Sequence, residues 1–270
     1  MDIFQILSYG FVERALIAGS FIAILCSTLG MFLVLRKMSL IGDGLSHVSF
    51  GALALGMFLG MYSFYVAIPL VVLGSFLILQ ISEKTKVYGD SAIGIVSSVG
   101  ISTGVILASL SGGFNVDLFS YLFGSILSIS NTEVIISIIL SIVVFLVIVI
   151  FFNDLFSATF DEEYAKTIGI KTDRINFLLM TLTAITVVLA IKVVGVMLVS
   201  ALLILPAVTA LQLAGGFKSA LVISSFVSVI SVISGIILSF YLDIPSGATI
   251  VFINLFLFFI SFLSKKYFSN

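Results

Sequence analysis

The sequence predicts an all-α, polytopic membrane protein, and three observations carry that reading. Of 270 residues, 61% are hydrophobic and only 9% charged, with a mean hydropathy of +1.35. No water-soluble surface can be built from that composition. The apolar residues lie in stretches of about 18 or more, the length a helix needs to cross hydrocarbon, whereas barrel strands would alternate over about ten residues. Only three prolines interrupt them. The single cysteine, Cys26, lies inside an apolar run and reads as a small core residue, which excludes a disulfide framework or a cysteine metal cluster.

Taken in order, residues 1–14 form a short amphipathic lead-in, acidic and without the basic region of a cleaved signal peptide. Spans are expected at about 15–35, closed by Arg36 and Lys37, then at 42–60 and 63–81. The charged link Glu83-Lys84-Thr85-Lys86 precedes a fourth span at 92–110. A polar segment, 111–132, leads to a fifth span ending near Phe152, and 153–174 is the longest charged stretch. Four more spans are expected at 175–191, 193–213, 218–242 and 248–263. The total is nine, with eight as the alternative, in one transmembrane domain covering 1–270. The weakest boundary is between the sixth and seventh, where Lys192 and Gly195 are the only breaks; Lys192 is read as snorkelling to an interface.

Charge placement orients the chain. With Arg36 on the cytoplasmic side, alternation puts Arg36, Lys37, Lys84, Lys86, Lys166, Lys171, Arg174, Lys218, Lys265 and Lys266 inside and only Arg14 and Lys192 outside. This positive-inside bias sets the N-terminus out and the C-terminus in the cytoplasm.

One stretch breaks the apolar pattern. Arg36-Lys37-Met38-Ser39-Leu40-Ile41-Gly42-Asp43-Gly44-Leu45-Ser46-His47 puts a carboxylate and the only histidine into a predicted span. On a helix Asp43 and His47 stand at i and i+4 on one face, with Ser46, Gly51 and Ala54 close to the same meridian. The spacing suits two ligands on one ion, a proton relay, or a pair holding two helices together; the cost of ionisable groups in a membrane makes function the default reading. On another face Ser49, Gly56 and Gly60 form a small-residue strip for close helix packing. Pro206, inside the seventh span, is a kink and a possible hinge. Thr159-Phe160-Asp161-Glu162 reads as a capping box opening a short helix that ends near Gly169.

Met38-Ser39-Leu40-Ile41-Gly42-Asp43 with Leu45-Ser46-His47 resembles the signature of the metal-specific ABC-3 permeases, the membrane subunits of bacterial importers for zinc and manganese. Asn115-Val116-Asp117-Leu118, Tyr121-Leu122-Phe123-Gly124, Phe160-Asp161-Glu162, Leu205-Pro206-Ala207 and Pro245-Ser246-Gly247-Ala248-Thr249 resemble it in the same order, over nearly the whole chain. Two details depart: Gly44 stands where alanine or threonine is usual, and Ser49-Phe50-Gly51 lacks a proline that many members carry.

The resemblance implies a type II ABC importer-like permease in the bacterial cell membrane, a homodimer served by two copies of an ABC ATPase and by an extracytoplasmic metal-binding protein. It implies Asp43 and His47 as ligands to a transported Zn2+ or Mn2+, with no permanently bound cofactor; 115–128 and the N-terminal stretch look closer to zinc-type members. It further implies that the 153–174 loop docks on the ATPase through Asp161, Glu162, Glu163, Ala165 and Gly169. With five acidic and three basic residues, a net charge of −2, this loop is poorly suited to anionic lipid. No phosphate-binding G-x-x-x-x-G-K-[ST] sequence occurs, so the chain is expected to transport and not to hydrolyse ATP. No nucleophile elbow or His-Glu-x-x-His argues for an enzyme, and no nucleic acid is expected as partner. The alternative is a stand-alone proton-coupled metal carrier in which Asp43 relays protons.

Overall fold

The computed structural model describes residues 9–85, 89–111, 116–125 and 129–268. Those residues form twelve helices and one 3-10 turn, with no strand among them. In order the helices are α1 (Gly10–Leu35), α2 (Ile41–Phe58), α3 (Ser63–Thr85), α4 (Gly89–Leu110), α5 (Val116–Phe123), α6 (Asn131–Ile150), α7 (Phe152–Phe160), α8 (Glu162–Thr167), α9 (Thr172–Val194), α10 (Val199–Leu213), α11 (Phe217–Leu242) and α12 (Ser246–Phe268).

Seven of them, α1, α3, α4, α6, α9, α11 and α12, are long and apolar enough to cross a membrane, and the chain is a multi-pass membrane protein. The two remaining expected spans differ. The 18-residue α2 holds Asp43 and His47, and most of its other residues are buried by neighbouring helices. The expected span 193–213 is shortened to the 15-residue α10. Helix α9 runs on through Val194, Gly195 takes a left-handed φ of 88°, and the 3-10 turn Val196–Leu198 intervenes. The side chain of Lys192 lies outside the described residues, as do Lys86 and Asn115.

Helix α1 is the most enclosed of the spans, and α10 and α11 lie against it. A Cβ at Gly30 would lie 1.9 Å from the Leu203 carbonyl oxygen, so α1 and α10 cross backbone to backbone. Along α11, Ser27 Oγ meets Ser225 Oγ at 3.2 Å, a pairing of small polar side chains suited to helices in lipid. Large apolar side chains such as Val99, Phe226 and Phe252 point outward, where hydrocarbon receives them.

Helix α2 is clamped between α3, α4, α9 and α10. A Cβ on Gly51 would stand 2.3 Å from the Gly100 carbonyl oxygen, and one on Gly100 2.5 Å from the Val48 Cα. Gly44 faces Ile93, whose Cγ2 would be 2.4 Å from an added Cβ, which gives a steric reason for glycine at that position of the signature. The expected packing strip is corrected in part. Gly56 does sit against Ser63 of the following helix, but Gly60 has nothing within 4 Å. Gly60 instead closes α2: its φ is +65°, its N–H bonds the Met57 carbonyl, and the Met61 N–H bonds the Gly56 carbonyl.

The two ends of the bundle are tied differently. At one end Gly124 (φ 74°), Gly195 and Gly247 bring the ends of α5 and α9 and the start of α12 into backbone contact. Ser246 Oγ adds a hydrogen bond to the Val193 carbonyl at 3.3 Å. The tyrosine-leucine-phenylalanine-glycine and proline-serine-glycine motifs, 121–124 and 245–247, therefore meet in one junction. At the other end Arg36 joins α1, α7 and α9 through side-chain bonds.

A Cβ at Gly247 would lie 1.9 Å from the Val194 carbonyl oxygen, whereas Gly94 has nothing within 4 Å. We expect Gly247→Ala to lower the thermal unfolding midpoint in detergent by several degrees. Gly94→Ala should leave it unchanged or slightly raised. Equal midpoints for the two variants would contradict the packed junction.

Candidate metal centre

Helix α2 starts from a tight corner. The Lys37 N–H bonds the Val34 carbonyl and the Met38 N–H bonds the Leu33 carbonyl, closing α1 with Lys37 at a φ of 59°. A non-glycine residue in that conformation costs about 1–2 kcal/mol, which the surrounding bonds offset. Four residues later α2 begins, and Asp43 falls in its first turn, where unpaired N–H groups favour a carboxylate.

His47 Nε2 and Asp43 Oδ2 are 3.6 Å apart, too far for a good hydrogen bond. The distance does suit two ligands: atoms each ~2.1 Å from a tetrahedral ion are ~3.4 Å from one another. The Asp43 side chain is 48% exposed and that of His47 20%, so the pair opens to a surface of the chain rather than into its core. The helix behind them is held by α4, since the His47 carbonyl oxygen and Val48 lie against Gly100. Among the described residues no group of three or more histidine, cysteine, aspartate and glutamate side chains comes together. The described residues of one chain thus bring together two such side chains, Asp43 and His47.

The other residues expected near that meridian have different duties. Ser46 is buried and its Oγ donates to the Asp43 carbonyl at 2.8 Å. Gly51 faces Gly100, and Ala54 is buried. Ser49 Oγ is buried without a hydrogen-bond partner. Cys26 is buried in α1. Pro206 is buried inside α10.

The 153–174 segment folds as α7 and α8. Its cap differs from the expected one: Asp161, not Thr159, caps α8, its Oδ1 accepting the Tyr164 N–H at 2.9 Å. Thr159 still belongs to α7, where its hydroxyl donates to the Leu155 carbonyl at 2.6 Å and accepts from Arg36 Nε at 3.0 Å. A full capping box does occur at Ser130 and Glu133, opening α6. Helix α8 closes as expected at Gly169 (φ 90°), with the Ile170 N–H on the Ala165 carbonyl. Glu162 pairs with Lys166 at 3.0 Å, an exposed i,i+4 pair that raises the lysine pKa.

The faces of α8 divide sharply. Ala165 is fully buried and packs inward, which corrects the expectation that it belongs to an outward docking face. Phe160, Glu163, Tyr164 and Ile168 are exposed. Sequence reasoning also missed Arg36, which it took only as the charged end of a span. Burial holds its guanidinium pKa below the ordinary value, and the carboxylate of Glu162 opposes that shift.

The profile of the ABC 3 transport family matches residues 8–265. The chain belongs to this family. Among its relatives, the manganese transport system membrane protein MntC of Halalkalibacterium halodurans is 35% identical over 258 residues, covering 96% of this chain and 88% of that protein. The high-affinity zinc uptake system membrane protein ZnuB of Haemophilus influenzae is 34% identical over 252 residues, covering 93% and 97%. A solved structure of PsaBC from Streptococcus pneumoniae in complex with Fab contains a chain that superposes with a TM-score of 0.88 at 34% identity, covering 96% of this chain and 94% of that one. The family signature residues expected from the sequence, 38–47, form the corner and first turns of α2.

His47→Ala and Asp43→Asn are each expected to abolish binding of Zn2+ and Mn2+ to the purified protein without changing its far-ultraviolet circular dichroism. Equilibrium dialysis checks this, and retained binding in both variants would remove the pair from the metal centre.

Proposed function

We propose that the chain is the permease subunit of an ATP-driven importer of a divalent transition metal, and that it forms the translocation pathway as a homodimer. The observation that carries this reading is the Asp43–His47 pair, two ligand atoms 3.6 Å apart on a helix locked from behind by α4 and open in front. Family membership and the relatives named for manganese and zinc transport support it. Two ligands hold a divalent ion weakly, because the charge left unneutralised in a low-dielectric pathway is costly. Two copies facing one another about a two-fold axis supply two imidazoles and two carboxylates, a set suited to zinc or manganese and poor for soft copper(I). Release on the far side requires that this site be transient.

The α7–α8 segment serves as the docking element for the ATPase, one copy on each permease chain, and an extracytoplasmic metal-binding protein delivers the ion at the opposite face. The C-terminus and α8 are cytoplasmic on the positive-inside count. Exposed Phe160, Tyr164 and Ile168 around the acidic Glu163 give the α7–α8 segment a mixed apolar and acidic surface suited to a protein groove. A stand-alone proton-coupled carrier would have no use for that surface. The zinc-like look of residues 115–128 favours zinc as cargo, and competition between Zn2+ and Mn2+ during uptake tests it directly.

Two experiments bear on the reading. In a mixed dimer, one copy carries both Asp43→Asn and His47→Ala and the other is wild type. A shared site predicts uptake far below half of the wild-type rate, and a value near half would refute sharing.

Docking is tested by Glu163→Arg with Tyr164→Ala. Reversed charge and lost aromatic surface should weaken association with the ATPase, read as reduced co-purification and reduced metal-stimulated ATP turnover. Unchanged stoichiometry and turnover would place the docking surface elsewhere.

A further inference from the structure

We infer that Arg36 is a positioning residue that couples the α7–α8 segment to the metal-bearing helix α2. This rests on the permease reading above, and it assigns the route by which movement at the docking element reaches Asp43 and His47.

Arg36 sits where three elements converge. Its Nε donates to Thr159 Oγ1 at 3.0 Å, in the last turn of α7. Its Nη1 donates to Asn176 Oδ1, in the first turns of α9. The guanidinium therefore bridges the two helices flanking α8. Thr159 is itself oriented, because its hydroxyl donates to the Leu155 carbonyl and so presents a lone pair to Arg36. Nη2 is buried and has no partner. Arg36 and Glu162, the first residue of α8, line one cavity of about 300 Å³ together with Lys37, Met38, Thr159 and Asn176. The cavity thus borders the first residue of α8.

The connection on the other side is short. Arg36 is the first residue of the corner whose backbone is pinned by the Lys37-to-Val34 and Met38-to-Leu33 bonds, with Lys37 left-handed. Asp43 lies only seven residues beyond Arg36, and α2 is helical from Ile41 onward. A corner fixed in this way has little slack, so displacement of the guanidinium is passed to the start of α2. Among the described residues the opposite end of the bundle meets through a backbone junction of glycines.

Chemistry selects arginine here. Two acceptors on different helices must be met at once by donors in a fixed planar fork, which guanidinium supplies and a lysine ammonium on a flexible stem does not. Arg36→Lys keeps the charge and loses the bridge. Thr159→Val keeps Arg36 and the side-chain shape and removes one acceptor.

The test uses the complete permease–ATPase complex in liposomes, with Zn2+ and Mn2+ as probes. Ions moved per ATP hydrolysed are compared for wild type, Arg36→Lys, Thr159→Val and Thr159→Ser, alongside Zn2+ binding by equilibrium dialysis. We expect the ratio to fall about tenfold in Arg36→Lys and about threefold in Thr159→Val, within the range of coupling changes that single residues produce. Thr159→Ser, which restores the acceptor, should return it to wild type. ATP turnover and Zn2+ binding should stay within about twofold. An unchanged ratio in both variants overturns the role of Arg36, as does a parallel loss of uptake, turnover and binding, which would mark a merely structural contact. If Arg36→Lys fails to assemble, Thr159→Val decides. A wild-type complex that moves neither ion refutes the permease reading itself, a result separate from failure of the Arg36 variants.

Discussion

Hydrocarbon solvates an apolar helix face about as well as another helix does, so burial of apolar area, worth roughly 25 cal/mol per Å² from water, cannot hold a bundle together inside a bilayer. Close backbone approach must do so, and in this chain the approach of α2 to α4 at Gly51 and Gly100 is the contact on which the functional geometry depends. It fixes the carbonyl of His47 against α4, and Gly42 and Gly44 hold the same helix against Leu203 and Ile93 at its start. With its back fixed at several heights, α2 has only one direction in which to present Asp43 and His47. The pair lies on the open side, half exposed in the case of Asp43.

The two ends of the bundle then differ in mechanical character for a chemical reason. Gly124, Gly195 and Gly247 meet through main-chain atoms, where any displacement creates overlap. Arg36 meets Thr159 and Asn176 through two side-chain hydrogen bonds, so either partner can shift the guanidinium without main-chain overlap. The end beside the exposed α8 is thus joined through side chains and the far end through main-chain atoms. The exposed aromatic residues of α7 and α8 continue into a cluster in which Phe156 and Phe160 both pack on Phe217, so this end also has its own apolar anchor.

Much of this could be read from residue order alone. Composition and span length determined the all-helical membrane class, because only helices and closed barrels satisfy backbone hydrogen bonds in hydrocarbon and these apolar runs are too long and unbroken for alternating barrel strands. The i,i+4 placement of Asp43 and His47 determined their shared face as soon as the stretch was helical. The outlines of α3, α4, α11 and α12 likewise follow from apolar runs, and Gly169 marks the end of α8.

Tertiary structure decided what local patterns leave ambiguous. The capping box read at Thr159 does not form, because α7 continues to Phe160 and the Thr159 hydroxyl is engaged by Arg36 and the Leu155 carbonyl, which leaves the cap to Asp161. Small residues in a strip do not say which neighbour they meet, so Gly60 proved a helix terminator while Gly51, Gly100 and Gly104 made the close contacts. The break at Gly195 depends on α5 and α12 arriving from distant sequence, which no window along the chain can contain. The sequence by itself determined the apolar runs and the helix face that Asp43 and His47 share, since hydropathy and helical period are local properties. Which faces touch, and where the pair opens, depends on contacts between segments far apart in the chain, and those exist only in the folded protein.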